Sequence, residues 1–191
     1  MLTNLIQRLS DNEPRCIDIA FDRAAILLAL TNEAEPQLVF TRRSSQLKTH
    51  GGQVAFPGGK AEPGDTTLLD TALRESEEEI GLNPLNVKVL GRLSEVISRY
   101  EILVTPYVGL IDPQTTFVPD EREIESVFTV PVKFFLECRP ARVDQLGYKQ
   151  FRASVPCWMY GEYQIWGMSA MVLVDFLAVG FGHRWETIHD L

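Results

Sequence analysis

The run RAAILLAL, residues 23–30, is the feature that most restricts the fold of this chain. It is apolar after its first residue, and the polar stretch TNEAEP follows it. A short apolar run bounded by turn-forming residues is typical of a strand buried inside a sheet. The segment QLVFTRR, residues 37–43, follows that turn and is predicted to be its hairpin partner. The chain is therefore predicted to fold around a sheet that contains this buried strand.

Helical and strand patterns interleave over the rest of the chain. The predicted helices are residues 2–9, 67–80 and 167–179, with a further short one after Pro131. The second helix is expected to start at an N-cap on Asp65 or Thr66 and to stop at Gly81. The predicted strands are VKVLGRLSEV, ILVTPYVGLI and VFTVP; FRASVPCWMYGEYQIWG is predicted to be a hairpin, and residues 139–150 a polar connection. This order predicts one α/β domain over residues 1–191, with a mixed sheet.

Charge excludes one large class of partners. The chain has 191 residues, which suits one domain, and a net charge of −8. Sequence-independent binding to DNA or RNA needs a basic face that neutralises phosphates, so no nucleic-acid partner is expected. Small phosphorylated ligands are not excluded, because a divalent metal ion can reverse the local sign of an acidic site.

The cysteines and the apolar segments indicate a cytoplasmic protein. Residues 1–15 hold the first predicted helix and lack the basic and long apolar regions of a secretory signal. The late apolar stretch MSAMVLVDFLAVGF contains Asp175 and is too short to span a bilayer, so no membrane partner is expected. Cys16, Cys138 and Cys157 are odd in number and far apart, which favours a reducing compartment over a disulfide framework.

The segment RESEEEIGL, residues 74–82, places four glutamates on one helix. At about 100° per residue, Glu75, Glu78 and Glu79 share a face roughly 100° wide, whereas Glu77 falls outside it. The positions predicted to form the buried stripe of this helix are Leu69, Leu73, Ser76 and Ile80.

The three clustered carboxylates predict a metal site. Arg74 lies four residues before Glu78, where an ion pair can hold that carboxylate in place. Hard oxygen donors on a rigid helix suit Mg²⁺ or Mn²⁺. The alternative is a solvated acidic helix face, and this segment alone leaves both interpretations open.

A glycine-rich loop comes directly before this helix, and the two segments together form GKAEPGDTTLLDTALRESEEEIGL. Residues 58–82 thus resemble the signature of the Nudix hydrolases, G-x5-E-x7-R-E-U-x-E-E-x-G-U, in which U is a bulky aliphatic residue. The matching residues are Gly59, Arg74, Glu75, Glu78, Glu79, Gly81 and Leu82. Asp65 stands where the signature has Glu, the following spacer is one residue longer, and Ser76 replaces the first U.

A second segment, residues 39–59, resembles the motif LLTxR[SA]x3Rx3Gx3FPGG of the coenzyme A pyrophosphatase branch of that family. The matching residues are Thr41, Arg43, Ser44, Gly52, Phe56, Pro57, Gly58 and Gly59. Lys48 stands in place of an arginine, which keeps the positive charge but loses the bidentate fork of a guanidinium. Because Arg43 and Lys48 flank a loop that should meet phosphate, they are predicted to bind substrate.

The resemblance implies a fold and a reaction. The fold is the Nudix fold, an α/β/α sandwich with a mixed sheet. The reaction is the metal-dependent hydrolysis of coenzyme A or acyl-coenzyme A to 3′,5′-ADP and 4′-phosphopantetheine or its acyl form, with Mg²⁺ or Mn²⁺. The implied metal ligands are Glu75, Glu78, Glu79 and a main-chain carbonyl, from Gly58 or Gly59.

The resemblance also assigns roles around the metal. Arg74 would orient the neighbouring carboxylates, and Arg43, Lys48, Gly58 and Gly59 would bind substrate. The group that takes the proton stays open between a glutamate of the helix and one from a distant loop. Glu123 matches the acidic position of that loop; the alternative is a charged surface residue without a role in the reaction.

Several alternatives stay open at this point. Another nucleoside diphosphate derivative, such as ADP-ribose, a dinucleoside polyphosphate or a damaged nucleotide, could be the substrate. A non-catalytic nucleotide sensor is the alternative of a different class, although the intact carboxylate pairs speak against it. Many relatives form homodimers, and the N-terminal helix is the candidate contact. Trp158 and Trp166 are expected in the core, whereas Tyr100 and Phe56 stay open as groups that stack on a base.

Overall fold

The computed structural model describes residues 2–47, 49–148 and 151–183. The helices are α1 (Leu2–Ser10), α2 (Leu68–Ile80), α3 (Val132–Glu137) and α4 (Gly167–Phe181), with a 3₁₀ turn at Pro84–Asn86. The strands are β1 (Asp22–Thr31), β2 (Gln37–Arg43), β3 (Val54–Ala55), β4 (Gly58–Lys60), β5 (Lys88–Arg92), β6 (Val96–Ile97), β7 (Ile102–Ile111), β8 (Ile124–Pro131), β9 (Arg142–Tyr148), β10 (Phe151–Tyr160) and β11 (Tyr163–Ile165).

The apolar run that opens the chain's sheet is strand β1, and it lies at the centre as predicted. It pairs in parallel with β7 over its whole length, from Asp22 opposite Ile102 to Thr31 opposite Ile111. The main path of the sheet is β3-β2-β1-β7-β5, with β4 also pairing with β1, β6 with β7 and β8 with β2. All these pairs except β1 with β7 are antiparallel, which confirms the mixed sheet.

Helices cover both faces of this sheet. On one face, Ala25 and Leu27 of β1 share a buried cluster with Ala72 and Ile80 of α2. On the other face, Ile26 and Leu28 share the larger cluster with residues of α1 and α4. Both faces of β1 are buried because its side chains alternate between the two layers. The α/β/α arrangement predicted from sequence is confirmed.

The N-terminal helix packs within the chain. Leu5 and Leu9 of α1 are buried, and the helix contacts α4 and β5. Gly180 of α4 allows this approach, because a Cβ atom at that position would collide with the side chain of Leu5. The helix ends at Ser10, before the end of the 1–15 segment, and residues 12–21 form neither helix nor strand. The predicted homodimer contact through this helix stays a prediction.

One of the longer strands was not predicted. Residues 139–150 were interpreted as a polar connection, yet residues 142–148 form β9 and pair antiparallel with β10. The pattern was hidden because Arg142, Val143 and Gln145 are exposed, so no apolar alternation marks the strand. Among the described residues, no helix is long and apolar enough to cross a membrane.

The structure shows where the four aromatic residues considered as core or base-stacking groups lie. Trp158 is fully buried, in agreement with its predicted core role, whereas Trp166 is half-buried at the start of α4. Phe56 is buried and stacks on Phe40 with ring centroids 4.5 Å apart, which makes it a core residue. Tyr100 is exposed.

Candidate active site

Helix α2 is fixed at both ends by local hydrogen bonds. Its N-cap is Thr67, whose hydroxyl accepts from the backbone N–H of Asp70, while the Asp70 carboxylate accepts from the backbone N–H of Thr67. This capping box satisfies two N–H groups at the start of the helix. At the other end, Gly81 takes the left-handed conformation at φ 67°, as a glycine stop requires. The predicted stop is confirmed, and the predicted N-cap at Asp65 or Thr66 is wrong.

The carboxylate face exists, but its three members are buried to very different extents. The side chain of Glu79 is 5% exposed, that of Glu75 is 18% exposed and that of Glu78 is 61% exposed. Glu77 is exposed outside this face, as predicted. The buried residues of α2 are Thr71, Ala72, Ser76, Glu79 and Ile80. The buried side therefore lies closer to the carboxylates than the predicted stripe, of which Leu69 and Leu73 are only half-buried.

Arg74 joins three carboxylates. Its Nε donates to Asp65 Oδ1 at 3.0 Å and its Nη2 to Asp65 Oδ2 at 3.1 Å, which is a bidentate pair. Its Nη1 donates to Glu75 Oε1 and to Glu78 Oε2, both at 3.0 Å. The predicted pair with Glu78 is present, and its Nη2 also bonds the carbonyl of Lys60. The guanidinium is therefore an anchor that fixes two of the proposed metal ligands relative to the preceding loop.

Asp65 holds the loop before α2 in place and is not the N-cap of the helix, as had been predicted for it or Thr66. Besides the Arg74 pair, it accepts from the hydroxyl of Thr71 at 2.8 Å and from the backbone N–H of Glu62 at 2.9 Å. The hydrogen bonds from Arg74 hold the pKa of Asp65 well below its usual range. The signal that could have revealed this was its place in the signature, where the family has another acid.

Glu79 is the most buried of the three carboxylates. Its Oε1 accepts from Arg43 Nη1 at 3.1 Å, and its Oε2 accepts from the backbone N–H of Gly58 at 3.0 Å. Burial raises its pKa to about 7, against the lowering effect of these two donors and with a smaller raising effect from the charges of Glu75 and Glu123. A carboxyl group with this pKa exchanges a proton near neutral pH.

Glu75 is held in a similar environment. Burial is the largest effect and raises its pKa, while the bond from Arg74 acts in the opposite direction. The negative charges of Glu78 and Glu123 add to the increase. Together with Glu79, these three carboxyl groups therefore interact electrostatically, although Glu123 comes from a distant part of the chain.

Strand β4 needs glycine at two positions. A Cβ atom on Gly59 would collide with the carboxylate of Glu75, so only a glycine lets that carboxylate lie against the strand. Gly58 has φ 144° in a backbone region that L-residues rarely adopt, and a Cβ there would collide with the backbone of β1. The side chains of Glu75 and Glu79 thus lie directly against the backbone of Gly59 and Gly58.

The pairing of β4 with β1 distinguishes the carbonyl groups of Gly58 and Gly59, which were the two candidates for the main-chain metal ligand. Leu27 donates its N–H to the carbonyl of Pro57, and Ala61 donates to the carbonyl of Arg23. Because hydrogen-bonded pairs alternate along an antiparallel ladder, the backbone groups of Gly59 face Ala25 of β1. The carbonyl of Gly58 then points away from β1, since it is opposite to the next N–H in a trans peptide.

Arg43 and Glu123 complete the site from the other side. Arg43, at the end of β2, donates to Glu79 and lies 3.5 Å from Glu123 Oε2 through its Nη2. The backbone N–H of Ser44 donates to the carbonyl of Glu123 at 2.7 Å, which fixes the start of β8 beside β2. The structure therefore brings Arg43 and Glu123 to the helix carboxylates. Lys48, the other predicted cation, lies outside the described residues.

The donor set fits a hard divalent cation in its chemistry. Glu75, Glu78 and Glu79 offer carboxylate oxygens and Gly58 a carbonyl oxygen, the ligand types that Mg²⁺ and Mn²⁺ prefer. Within the described residues, no three histidine, cysteine or acidic side chains are grouped about a common point as metal ligands. The guanidinium groups of Arg74 and Arg43 hold the three carboxylates in their present positions.

Comparisons with known proteins agree with this arrangement. Residues 20–149 match the family model described as the NUDIX domain. The Nudix hydrolase NudL of Photorhabdus laumondii is 36% identical over 167 residues, which cover 87% of this chain and 85% of the relative. NudL of Pectobacterium atrosepticum is 41% identical over 152 residues and 79% of each chain.

Among solved structures, an Ap4A hydrolase of C. elegans has a TM-score of 0.51 at 13% identity, covering 60% of this chain and 83% of its own. The Nudix hydrolase RenU of M. Smegmatis has a TM-score of 0.50 at 20% identity, covering 65% and 81%. At these identities the likeness concerns the fold alone.

Proposed function

The chain belongs to the Nudix family of hydrolases, and on that premise we propose that it hydrolyses the pyrophosphate bond of coenzyme A or acyl-coenzyme A. The products are 3′,5′-ADP and 4′-phosphopantetheine or its acyl form. Nudix hydrolases generally use divalent metal ions, and we propose Mg²⁺ or Mn²⁺ here, held by Glu75, Glu78 and Glu79. The whole chain, residues 1–191, acts as one catalytic domain in the cytoplasm.

The observation that carries this proposal is the contact between two motifs. Arg43 belongs to the segment that resembles the coenzyme A branch, and it donates to Glu79 of the segment that resembles the Nudix signature. Residues from β2, β4 and α2 therefore form one continuous site. A pyrophosphate bound there meets a guanidinium and the carboxylates at the same time.

The residues of this chain divide the chemistry between them. Arg43 lies where it can take up charge on the pyrophosphate, and Arg74 keeps Glu75 and Glu78 oriented. The N–H of Gly58 fixes Glu79, and the carbonyl of Gly58 is the better placed of the two considered as a metal ligand. A bound divalent ion supplies charge neutralisation and a water of lowered pKa. Lys48 remains a proposed phosphate-binding residue.

Two glutamates, Glu79 and Glu123, are candidates for the group that accepts the proton of the attacking water. Glu79 has a pKa of about 7, which suits a group that takes a proton at neutral pH, but it is also a proposed metal ligand. Glu123 lies on the other side of Arg43 and has a side chain that is about half exposed. We propose Glu123 as the alternative acceptor, and an activity profile against pH for Glu123→Gln distinguishes the two.

The substrate is tested by incubating the protein with coenzyme A, acetyl-coenzyme A, ADP-ribose, a dinucleoside polyphosphate and oxidised nucleotides, each with Mg²⁺ or Mn²⁺. Mass spectrometry identifies the products, and 3′,5′-ADP from coenzyme A is the expected result. Fast cleavage of another compound beside intact coenzyme A would contradict the substrate. Absence of any turnover would favour the nucleotide sensor.

The metal face is tested with a matched pair of variants. Glu78→Gln removes one proposed ligand from an exposed position, so turnover is expected to be lost while thermal stability stays equal or rises. Glu77→Gln removes the same charge from the neighbouring position outside the face and is expected to leave turnover unchanged. An active Glu78→Gln enzyme would show that the proposed metal face is wrong.

A further inference from the structure

Two loops meet beside the ends of strands β2 and β7 and place a histidine against a tyrosine. His50 belongs to the loop between β2 and β3, and Tyr100 to the loop between β6 and β7. Their rings stand edge to face, with centroids 5.2 Å apart and planes at 84°. His50 Nδ1 bonds Gln53 Oε1 at 2.8 Å. Because an amide oxygen only accepts, this bond places a proton on Nδ1 and leaves Nε2 for other contacts.

Arg99 adds a positive charge to the same tyrosine. Its guanidinium carbon lies 4.7 Å from the centroid of the Tyr100 ring, and it donates to the Tyr100 hydroxyl. Within the described part of the chain, Arg99 forms no ion pair, which is unusual beside so many carboxylates in a chain of net charge −8. Tyr100 is 49% exposed, so a large part of its ring faces solvent.

The backbone under these side chains is strained. His50 has φ 60° and Glu101 has φ 59°, and these are the non-glycine residues with positive φ in the described chain. The second loop is closed tightly, since the Ser98 hydroxyl accepts from the N–H groups of Tyr100 and Ile102, both at 3.2 Å. Strained backbone tends to concentrate where a side chain is held for a ligand. Tyr100 is therefore presented in a fixed orientation.

Backbone hydrogen bonds connect this cluster to the strand that carries Arg43. The N–H of Arg43 donates to the carbonyl of Gln53, and the guanidinium of Arg43 reaches Glu79. Gln53 in turn donates its N–H to the carbonyl of His50. Two backbone hydrogen bonds, of 2.9 and 3.1 Å, thus connect His50 to Arg43 through Gln53. A ligand whose pyrophosphate lies at Arg43 can therefore extend to Tyr100.

We propose that Tyr100 and Arg99 form the subsite for the 3′-phosphoadenosine half of the substrate. The open ring of Tyr100 stacks on the purine base, as aromatic side chains do on exposed bases. Arg99 has further N–H donors beside the one on the tyrosine hydroxyl, and these bind the phosphate on the ribose. His50 is a positioning residue for Tyr100. This proposal rests on the proposed function, because it explains how a nucleotide with a 3′-phosphate is selected.

The direct test measures binding of 3′,5′-ADP and 5′-AMP to the full chain by calorimetry, with Mg²⁺ present. Arg99→Ala is expected to weaken 3′,5′-ADP about tenfold and to leave 5′-AMP unchanged, because only the former carries the 3′-phosphate. Tyr100→Ala is expected to weaken both ligands about tenfold, whereas Tyr100→Phe keeps the ring and binds like the wild type. Arg139→Ala, at an exposed arginine near the end of α3, controls for the loss of charge.

Equal effects of Arg99→Ala on both ligands, or no effect of Tyr100→Ala, would overturn the subsite, and so would a wild type that binds neither ligand. Turnover separates this from the proposed function. The KM ratio of dephospho-coenzyme A to coenzyme A should fall towards one in Arg99→Ala. A wild type that discriminates 3′,5′-ADP from 5′-AMP but cleaves no coenzyme A would refute the reaction and keep the subsite.

Discussion

Two buried glutamates, Glu79 and Glu95, are each paired with an arginine, and they differ in ways that separate the proposed catalytic site from a structural ion pair. The side chain of Glu79 is 5% exposed and that of Glu95 is 3% exposed. Glu95 accepts from Arg23 at 2.5 Å, from the Thr105 hydroxyl at 3.1 Å and from a backbone N–H at 2.7 Å. Glu79 accepts from one guanidinium and one backbone N–H.

The neighbours of the two residues differ as much as their donors. Around Glu79, the carboxylates of Glu75 and Glu123 add negative charge, and burial raises its pKa to about 7. Glu95 instead ties together the segment before β1, β1 itself and β7. A buried acid with few donors and several acidic neighbours is costly to the fold, which is expected where binding a cation relieves the repulsion. Glu95, which has three donors where Glu79 has two, is expected to stabilise the fold.

The largest expected effect on turnover comes from removing the charge of Glu79. Glu79→Gln should lower kcat by about 10²–10⁴-fold, because it removes both a proposed ligand and the group that exchanges a proton near neutral pH. Its free energy of unfolding at pH 8 should be equal to or higher than that of the wild type, since a desolvated charge is gone. Steady-state kinetics and urea unfolding check the two statements. Turnover within a few-fold of the wild type would mean that Glu79 is only structural.

A smaller effect is expected in the dependence of stability on pH. The folded-state pKa of Glu79 is about 7, above its ordinary value of 4.5, so the folded chain binds more protons than the unfolded chain between these values. The free energy of unfolding contributed by this group therefore falls as pH rises from about 4.5 to about 7, by an amount on the order of 3 kcal/mol.

This contribution is measured in metal-chelated protein as the difference between wild type and Glu79→Gln in urea unfolding at several pH values. The free energy of unfolding of Glu79→Gln minus that of the wild type should increase from about pH 4.5 to about pH 7 and stay constant above it. A difference that stays flat between pH 4.5 and pH 7 would show that Glu79 keeps an ordinary pKa.

The smallest of the three effects concerns Glu95. Glu95→Gln should lower the free energy of unfolding by about 2–3 kcal/mol, because Arg23 loses its charged partner while the site stays hydrogen-bonded in part. Its kcat should stay within about twofold of the wild type, since the residue lies outside the proposed site. A loss of kcat without a loss of stability would remove the distinction between the two glutamates.

The sequence predicted the parts of the site that depend on local geometry. Helical periodicity placed Glu75, Glu78 and Glu79 on one face, and the spacing of Arg74 to Glu78 predicted their ion pair. Neither pattern indicated that Glu79 is almost fully buried. Burial depends on the strand that holds Gly58, which reaches the helix only through the tertiary fold.

The other features that the sequence did not predict also depend mainly on contacts between distant segments. Asp65 was one of the two predicted N-caps because local sequence favours it, but its oxygens accept from the guanidinium of Arg74, nine residues later in the chain. The contact of Arg43 with both Glu79 and Glu123 joins three separate segments, so no spacing within one segment could predict it. Strand β9 was missed because its exposed residues carry no apolar alternation. Patterns along the chain thus predicted elements and faces, but not the long-range contacts.

The parallel pairing of β1 with β7 has a kinetic consequence. It joins residue 22 to residue 102, and α2 lies between the two strands in the sequence. Parallel pairing over such a separation closes a long loop and is slow to form. During synthesis, the glutamate helix leaves the ribosome before β7 does, so it emerges before the central parallel pair of the sheet can form. Assembly of the site is therefore a late event in folding, and a chain interrupted before Ile111 lacks part of the sheet on which the helix rests.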